Sequence, residues 1–286
     1  MRVALEVWSA RYDELRSTCL RAEALGFDAF YYGESPNDLN LDCWTTLGAL
    51  AASTDRIRLG PVIANVLPTY RSTILLAKQA ATVATVSGGR LDCRTGVGAS
   101  VRFARPWWEP FGVHYPDYHQ RLADLTDALD RLPSLWSGAP PIPLTLAARG
   151  RRAMELVART ADVWETSFCT PREFRDQRQV LEGLVQEREL VCSLEIDGFV
   201  ASTGPGVDRL VRRVQQDRAN HEDLAPVFER GLIGTPEDAA GRLVELVEAG
   251  VDQVVVALHD PHDRDALEAL AEATRVARQT LDDRSA

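Results

Sequence analysis

Residues 143–165 read PLTLAARGRRAMELVARTADVWE, and the pattern they hold repeats along the chain. The run Pro143–Ala147 is short and apolar, as a buried strand is. A turn holding Gly150 follows, a helix runs from Arg151 to Ala161, and DVWETSF starts another strand. Strand, turn, helix, strand is the parallel βαβ unit. Its turn is heavily charged. Helix N-termini carry partial positive charge and free N–H groups. Arg149, Arg151 and Arg152 crowd this one and oppose its dipole, a conflict that a bound anion would resolve.

The same alternation extends in both directions. Strand-like runs RVALEVWS, AFYYGES, RIRLGPVIAN, RLDCRTGVG, IPLTLAA, DVWETSF, LVCSLEIDGFVA and VDQVVVALHD are separated by segments of helical period. Gly26 closes the first helix, Asp42 opens the second, and Gly88 and Gly89 end the third. Pro133 is expected to end or kink the helix that starts near Tyr118. PREFRDQRQVLEGLVQER and Val207–Asp217 read as helices, and Thr235 with Pro236 marks the start of a later one. Eight strand–helix units in 286 residues fit an α/β fold, a single (β/α)8 TIM barrel of one domain over residues 1–286. The last ten or so residues are polar and are expected to fray. A doubly wound open sheet is the alternative, weakened by the absence of G-x-G-x-x-G after the first strand.

Bulk properties narrow the function classes. A net charge of −10 argues against a nucleic-acid surface. No segment is long and apolar enough to span a bilayer, and the N-terminus runs directly into a strand holding Glu6 rather than a signal peptide. Cys19, Cys43, Cys93, Cys169 and Cys192 are widely spaced with no C-x-x-C pair, which reads as reduced, mostly buried thiols in a cytoplasmic protein. No H-E-x-x-H or clustered Cys/His set supports a metal, and no G-x-S-x-G supports a hydrolase.

Charges inside the strands point to a site. In RVALEVW, Ala4, Glu6 and Trp8 share one face and Val3, Leu5 and Val7 the other. Asp92 and Arg94 share a face of the fourth strand. Unpaired charges inside a barrel are costly, so Glu6, Asp92 and Arg94 are expected to satisfy one another. Glu34 and Ser35, Glu165 to Ser167, and His259 with Asp260 end strands, where barrel enzymes place functional groups; each is equally open to a capping or structural role. The stretch Ser100–Tyr118 is a long connection rich in proline and aromatics, so Trp107, Trp108, Phe111 and Tyr115 are candidates for a pocket wall or lid. TGVGAS (Thr95–Ser100) and AARGRR (Ala147–Arg152) leave neighbouring strands, and their small residues and helix starts suit a phosphate, with Arg149 adding a side-chain contact.

With these pieces placed, the chain resembles the bacterial-luciferase-like superfamily of flavin and deazaflavin oxidoreductases. The likeness is carried by LRAEALGFDAFYYGES, CWTTLGALAASTDRIRLGPVIAN, AKQAATVATVSGGRLDCRTGVGAS, LTLAARGRRAMELVARTADVWE and GTPEDAAGRLVELVEAGVDQVVV. AARG at Ala147–Gly150, followed by MELVARTAD, looks most like the branch that uses coenzyme F420. The resemblance implies a cofactor ring in the barrel mouth and a phosphate near Gly96, Gly98, Ala99, Ala147, Ala148, Arg149 and Gly150. It implies a non-proline cis peptide within Val62, Ile63, Ala64 and Asn65 that backs the ring. The chain departs from the family at GESPND, where many relatives carry a histidine after the second strand; Glu34, or Asn37 and Asp38, would have to substitute, or the substrate itself would supply the proton. The implied activity is hydride transfer between reduced deazaflavin and a C=C, C=N or carbonyl group of a small organic substrate, with Glu6, Glu34 and Glu165 as proton-relay candidates and Trp8, Trp107 and Trp108 against the substrate. Trp44 is open between pocket wall and helix core. FMN-dependent monooxygenase chemistry, a non-catalytic flavin-binding barrel and an unrelated barrel enzyme for a phosphorylated substrate are the alternatives. A homodimer formed through WTTLGALAAST is implied, and that segment is equally a core-facing helix.

Overall fold

A computed structural model describes residues 1–185, 188–218 and 225–285. Nine strands form one sheet: β1 (Arg2–Val7), β2 (Ala29–Gly33), β3 (Arg58–Val62), β4 (Cys93–Gly96), β5 (Leu144–Ala147), β6 (Val163–Ser167), β7 (Val191–Val200), β8 (Leu232–Gly234) and β9 (Gln253–Leu258). The order is β3-β2-β1-β9-β7-β6-β5-β4, parallel throughout, and β8 pairs beside it with the end of β7. The two ends meet. Leu59 N–H donates to Arg90 O at 2.9 Å, Asp92 N–H to Leu59 O at 2.8 Å and Ala64 N–H to Arg94 O at 2.7 Å. This closure excludes the doubly wound alternative and makes the fold a (β/α)8 barrel with one short extra strand.

Alternation along the strands divides the apolar residues into two layers. Val3, Leu5 and Val7 face the surrounding helices and join the main core. Ala4 faces inward with Ala29, Tyr31, Val62 and Val255. Helices α1 (Tyr12–Leu25), α2 (Cys43–Ala51), α3 (Thr73–Val86), α5 (Tyr118–Leu135), α6 (Arg151–Thr160) and α10 (Pro236–Glu248) match the periodic segments. Asp42 accepts the Thr45 N–H as an N-cap, and Thr235 forms a capping box with Asp238. Trp44, Leu47 and Leu50 of α2 are buried, so its apolar stripe is core-facing.

Several expectations are corrected. The connection after β4 is no loop: α4 (Val101–Trp108) and a short 3-10 turn (Glu109–Phe111) occupy it. Val101, Ala104 and Trp108 pack together at i, i+3 and i+7, and that shared face outweighs the proline at position 106. As expected, the helix from Tyr118 ends close to Pro133, which sits in the last turn of α5, two residues before Leu135. The C-terminal residues lie in a helix, α11 (Arg264–Ser285), which buries Ala266, Leu270, Ala273 and Ala277; Ala286 lies outside the described residues. Strand β8 had no sequence counterpart. Helices α7 (Pro171–Glu182), α8 (Gly204–Arg218) and α9 (Ala225–Arg230) complete the set; Gln186 and Glu187, within the helix expected after Pro171, lie outside the described residues. All five cysteines are buried and unpaired. Among the described residues no helix is long and apolar enough to cross a membrane.

Candidate active site

The barrel interior is polar. Arg94 on β4 has no exposed surface and donates to both carboxylate oxygens of Glu165 on β6, at 2.6 and 2.7 Å. Ser193 Oγ on β7 donates to Glu165 Oε2 at 2.9 Å. The Arg94 guanidinium lies 4.0 Å from the centroid of the Tyr31 ring. Burial alone would lower the Arg94 pKa, but the adjoining Glu165 carboxylate more than offsets that and holds it above its ordinary value. Asp92 does not pair with Arg94 directly, accepting instead from Tyr31 Oη at 2.8 Å and from Arg58 Nε at 2.8 Å. Glu6 bonds neither: its Oε1 accepts from Trp8 Nε1 at 2.8 Å. The single Glu6–Asp92–Arg94 network is therefore corrected to Arg94–Glu165, Arg58–Asp92–Tyr31 and Trp8–Glu6. The pairing register explains this, because Arg94 aligns with Thr145 and Thr145 with Val163, which puts Glu165 one inward position higher on β6 within reach.

Above this layer a cavity of about 690 Å³ opens at the C-terminal mouth, with Glu6, Glu165 and Glu195 among its lining residues. Glu195, on β7, is a site residue that the sequence reading did not single out. Burial, then the neighbouring charges of Glu6 and Glu165, hold the Glu195 carboxyl well above the usual carboxylate range. Burial also raises Glu6, against the pull of its Trp8 hydrogen bond and Arg94. Glu6 Oε2 is buried with no hydrogen-bond partner.

At the end of β3 the Val62–Ile63 peptide is cis. Ile63 and Asn65 line the cavity, whereas Ala64 is fully buried and uses its carbonyl to accept the Thr95 hydroxyl at 2.7 Å. Glu34 holds this segment just past the end of β2: its Oε2 accepts the Asn65 N–H at 2.6 Å and forms an ion pair with Arg71 at 2.5 Å. Both partners of that ion pair are almost fully buried. Asn37 and Asp38 do not line the cavity, and Asn37 accepts from Ser35 Oγ and the Leu39 N–H instead.

Next to this segment around the rim, the turns after β4 and β5 are adjacent, since Ala64 bridges to Thr95 and Gly96 aligns with Ala147. Gly98, Ala99, Ala147, Ala148 and Arg149 line the cavity; Gly96 lines a small recess just below it, with Gly98 and Tyr115. Gly150 is the N-cap of α6, outside the lining. Neither α4 nor α6 has a side-chain cap, and the N–H groups of Gly98, Ala99, Arg149 and Gly150 have no partner among the described residues. Gly98 has φ +81°, and a Cβ there would sit 2.4 Å from the Tyr115 hydroxyl. Beneath this turn the buried Arg121 donates to Val97 O at 2.8 Å and Ala99 O at 2.9 Å, tying down carbonyls so that the amides face out. Of the three crowded arginines, Arg151 pairs with Glu155, Arg152 meets His119, and Arg149 makes one 3.2 Å contact to Thr166 Oγ1. An anion-binding cradle is the chemistry this donor set supports.

The remaining wall is aromatic. The Trp8 ring meets Trp107 edge-on at 6.3 Å, and Phe103 stacks on Trp107 at 6.0 Å. Trp108 is mostly buried against Tyr70 and contributes only an edge. Tyr115 is buried and donates to Ala99 O at 2.9 Å, and Phe111 does not line the cavity. Trp44 is helix core. His259 stacks on Phe199 and meets Asp197 at 3.2 Å, a structural arrangement. Among the described residues no group of three His, Cys, Asp or Glu side chains could hold a metal.

A family model described as luciferase-like monooxygenase matches residues 2–190. The chain belongs to that family. Of its luciferase-like relatives, the 5,10-methylenetetrahydromethanopterin reductase of Archaeoglobus fulgidus is 24% identical over 305 residues, covering 86% of this chain and 89% of the relative. An F420-dependent secondary alcohol dehydrogenase, solved with an F420-acetone adduct, superposes with a TM-score of 0.82 at 15% identity over 97% of this chain and 99% of that one. The EDTA monooxygenase of Chelativorans sp. BNC1 superposes with a TM-score of 0.77 at 14% identity, over 100% and 94%. In this luciferase-like barrel the expected site residues Glu6, Trp8, Glu34, Ile63, Asn65, Gly98, Ala99, Trp107, Ala148, Arg149 and Glu165 converge on one cavity. Glu195, Arg71 and Arg121 were missed. Glu195 carries the signal that marked Glu6, an acidic residue between apolar neighbours on a strand; Arg71 and Arg121 carry none, being single arginines at the edge of or within helical segments.

Proposed function

We propose that this protein is an F420-dependent reductase of small organic substrates. The observation that carries the reading is the pair of adjoining turns, with unpartnered N–H groups and Arg149, beside the cis peptide on one cavity. That cradle suits the phosphate of a ring cofactor, with Gly98, Ala99, Arg149 and Gly150 as its holders. The F420-dependent dehydrogenase of the same fold and the AARG turn support the deazaflavin. Such a cofactor, when bound, supplies hydride.

The chain's own part is positioning and proton supply. Glu6 and Glu195 face the cavity, and burial raises both carboxyls above the ordinary glutamate range, so they are the candidates for proton supply at the floor. Glu34 and Glu165 act differently. Each is locked by a buried arginine, and each fixes backbone or neighbouring side chains, so both are positioning residues. Trp8 and Trp107 exclude water from the substrate side.

Titration of cofactor-free protein with F420 and with FMN tests the assignment. Preferential F420 binding, followed by reoxidation of bound reduced cofactor with unsaturated acceptors, is the expected result; tight FMN binding without F420 affinity overturns it. FMN-dependent monooxygenase chemistry is the second reading, favoured by the family model's description and by the EDTA monooxygenase of the same fold. We further propose a homodimer, through the α2 and α3 side of the barrel where Ile74, Leu75 and Val86 are exposed; sedimentation as a monomer overturns it.

A further inference from the structure

The cavity's charges are unevenly placed. Glu34 is neutralised by Arg71 and Glu165 by Arg94, both at salt-bridge distance. That leaves Glu6 and Glu195 on the floor and Arg149 on the phosphate turn. Arg149 is the one arginine or lysine lining the cavity among the described residues, and it stands on the cofactor side. Ionised or protonated, Glu6 and Glu195 offer no positive charge. An anionic group entering this side would lose its hydration and gain no cation.

The walls above that floor are apolar and uncovered. Phe103 on α4 is 58% exposed and Phe168, just after β6, is 40% exposed, and both line the cavity with Trp8 and Trp107. Phe168 holds φ +49°, a left-handed conformation uncommon outside glycine. Its N–H donates to Glu195 O at 2.7 Å, which fixes the ring's base to the strand that carries the floor carboxyl. Side chains of this size left exposed around a cavity mark a surface built for a ligand. A flat ring is what such walls recognise.

We infer that the substrate is an uncharged, ring-bearing carbonyl or imine compound, held between Trp8, Phe103, Trp107 and Phe168 with its heteroatom over Glu6 and Glu195, and that carboxylate- or phosphate-bearing substrates are excluded. This rests on the proposed reductase reading only for which side the cofactor takes. The heteroatom would accept a hydrogen bond from a protonated floor carboxyl, the form that burial favours there.

Ligand-observed NMR titrations decide it, using acetophenone, 4-acetylbenzoate and glucose 6-phosphate, on the protein alone and on the protein saturated with oxidised F420. Acetophenone is expected to bind about tenfold or more tightly than 4-acetylbenzoate, with no saturable binding of glucose 6-phosphate away from the phosphate turn. The Glu6→Gln/Glu195→Gln double variant should narrow the ratio, and Trp107→Ala should weaken acetophenone about fivefold while leaving the ratio. Equal or tighter binding of 4-acetylbenzoate to the unmodified protein overturns the inference, whether or not the double variant folds. Failure to bind F420 with the acetophenone preference intact sinks the reductase reading alone.

Discussion

The two sides of the mouth solve different problems with different materials. The anion side is made of backbone: turns at Gly98 and Gly150, two uncapped helix starts, and a buried Arg121 that orients carbonyls away. The floor side is made of side chains from distant strands, Glu6, Arg94, Glu165 and Glu195, of which Arg94 and Glu165 hold each other and Glu6 is held by Trp8. Backbone donors are fixed by local conformation and tolerate exposure. Buried side-chain charges are fixed only by their partners, so removing one leaves another unpaired in a region of low dielectric. The anion side should therefore be robust in stability and sensitive in binding, and the floor the reverse.

The sharpest test of that contrast is Arg94→Met. It strands Glu165 without its cation, and the expected loss is about 3–5 kcal/mol of unfolding free energy in urea titration. The double variant Arg94→Met/Glu165→Gln should recover a large part of it, because the uncompensated charge is gone. No loss in the single variant would break the comparison.

Gly98→Val comes next and acts on the other side. A side chain at φ +81° with its Cβ 2.4 Å from Tyr115 Oη forces the turn open, costing about 1–2 kcal/mol in conformation alone. F420 affinity is expected to fall about a hundredfold, read by fluorescence titration, with the melting temperature moved by only a few degrees. Unchanged affinity would remove the turn from the cofactor site.

The barrel and the two adjoining turns after β4 and β5 were legible in the sequence for the same reason: both depend on local order. Alternation in RVALEVW placed Glu6 inward, and glycine with arginine at a helix start marked the turn at Gly150. The floor depends on register between strands separated by many residues, so Arg94 was matched to Asp92, two residues away, when its partner is Glu165 on the next strand but one. Glu34 read as a proton donor because its partner Arg71 lies beyond β3. Helix α4 was hidden by a proline and dense aromatics, whose shared face shows only in three dimensions. Helix α11 buries small alanines, Ala273 and Ala277, that give a weak apolar signal.

Glu195→Gln probes the floor through pH. The folded protein holds the Glu195 proton more tightly than the unfolded chain does. The stability from that proton is fully present below the ordinary glutamate range and is lost as pH rises through the elevated folded value. The wild type should thus lose about 1.4 kcal/mol per pH unit across that interval relative to the glutamine variant, which does not titrate. Urea titrations between acid and mildly alkaline pH should show the variant gaining on the wild type as pH rises. Parallel curves would mean that Glu195 ionises freely and is no proton store.

Arg149→Ala carries the smallest effect, and its size apportions the anion side between backbone and side chain. Arg149 is exposed and spends one long hydrogen bond on Thr166. Its contribution to an anion is screened by water, so truncation should weaken F420 about five- to tenfold, near 1 kcal/mol, and flatten the salt dependence of binding. The free N–H groups of Gly98, Ala99 and Gly150 remain in the variant and keep the greater part of the affinity. A loss beyond a hundredfold would assign the phosphate to the arginine, and the division between a backbone-built rim and a side-chain-built floor would fail at its first side.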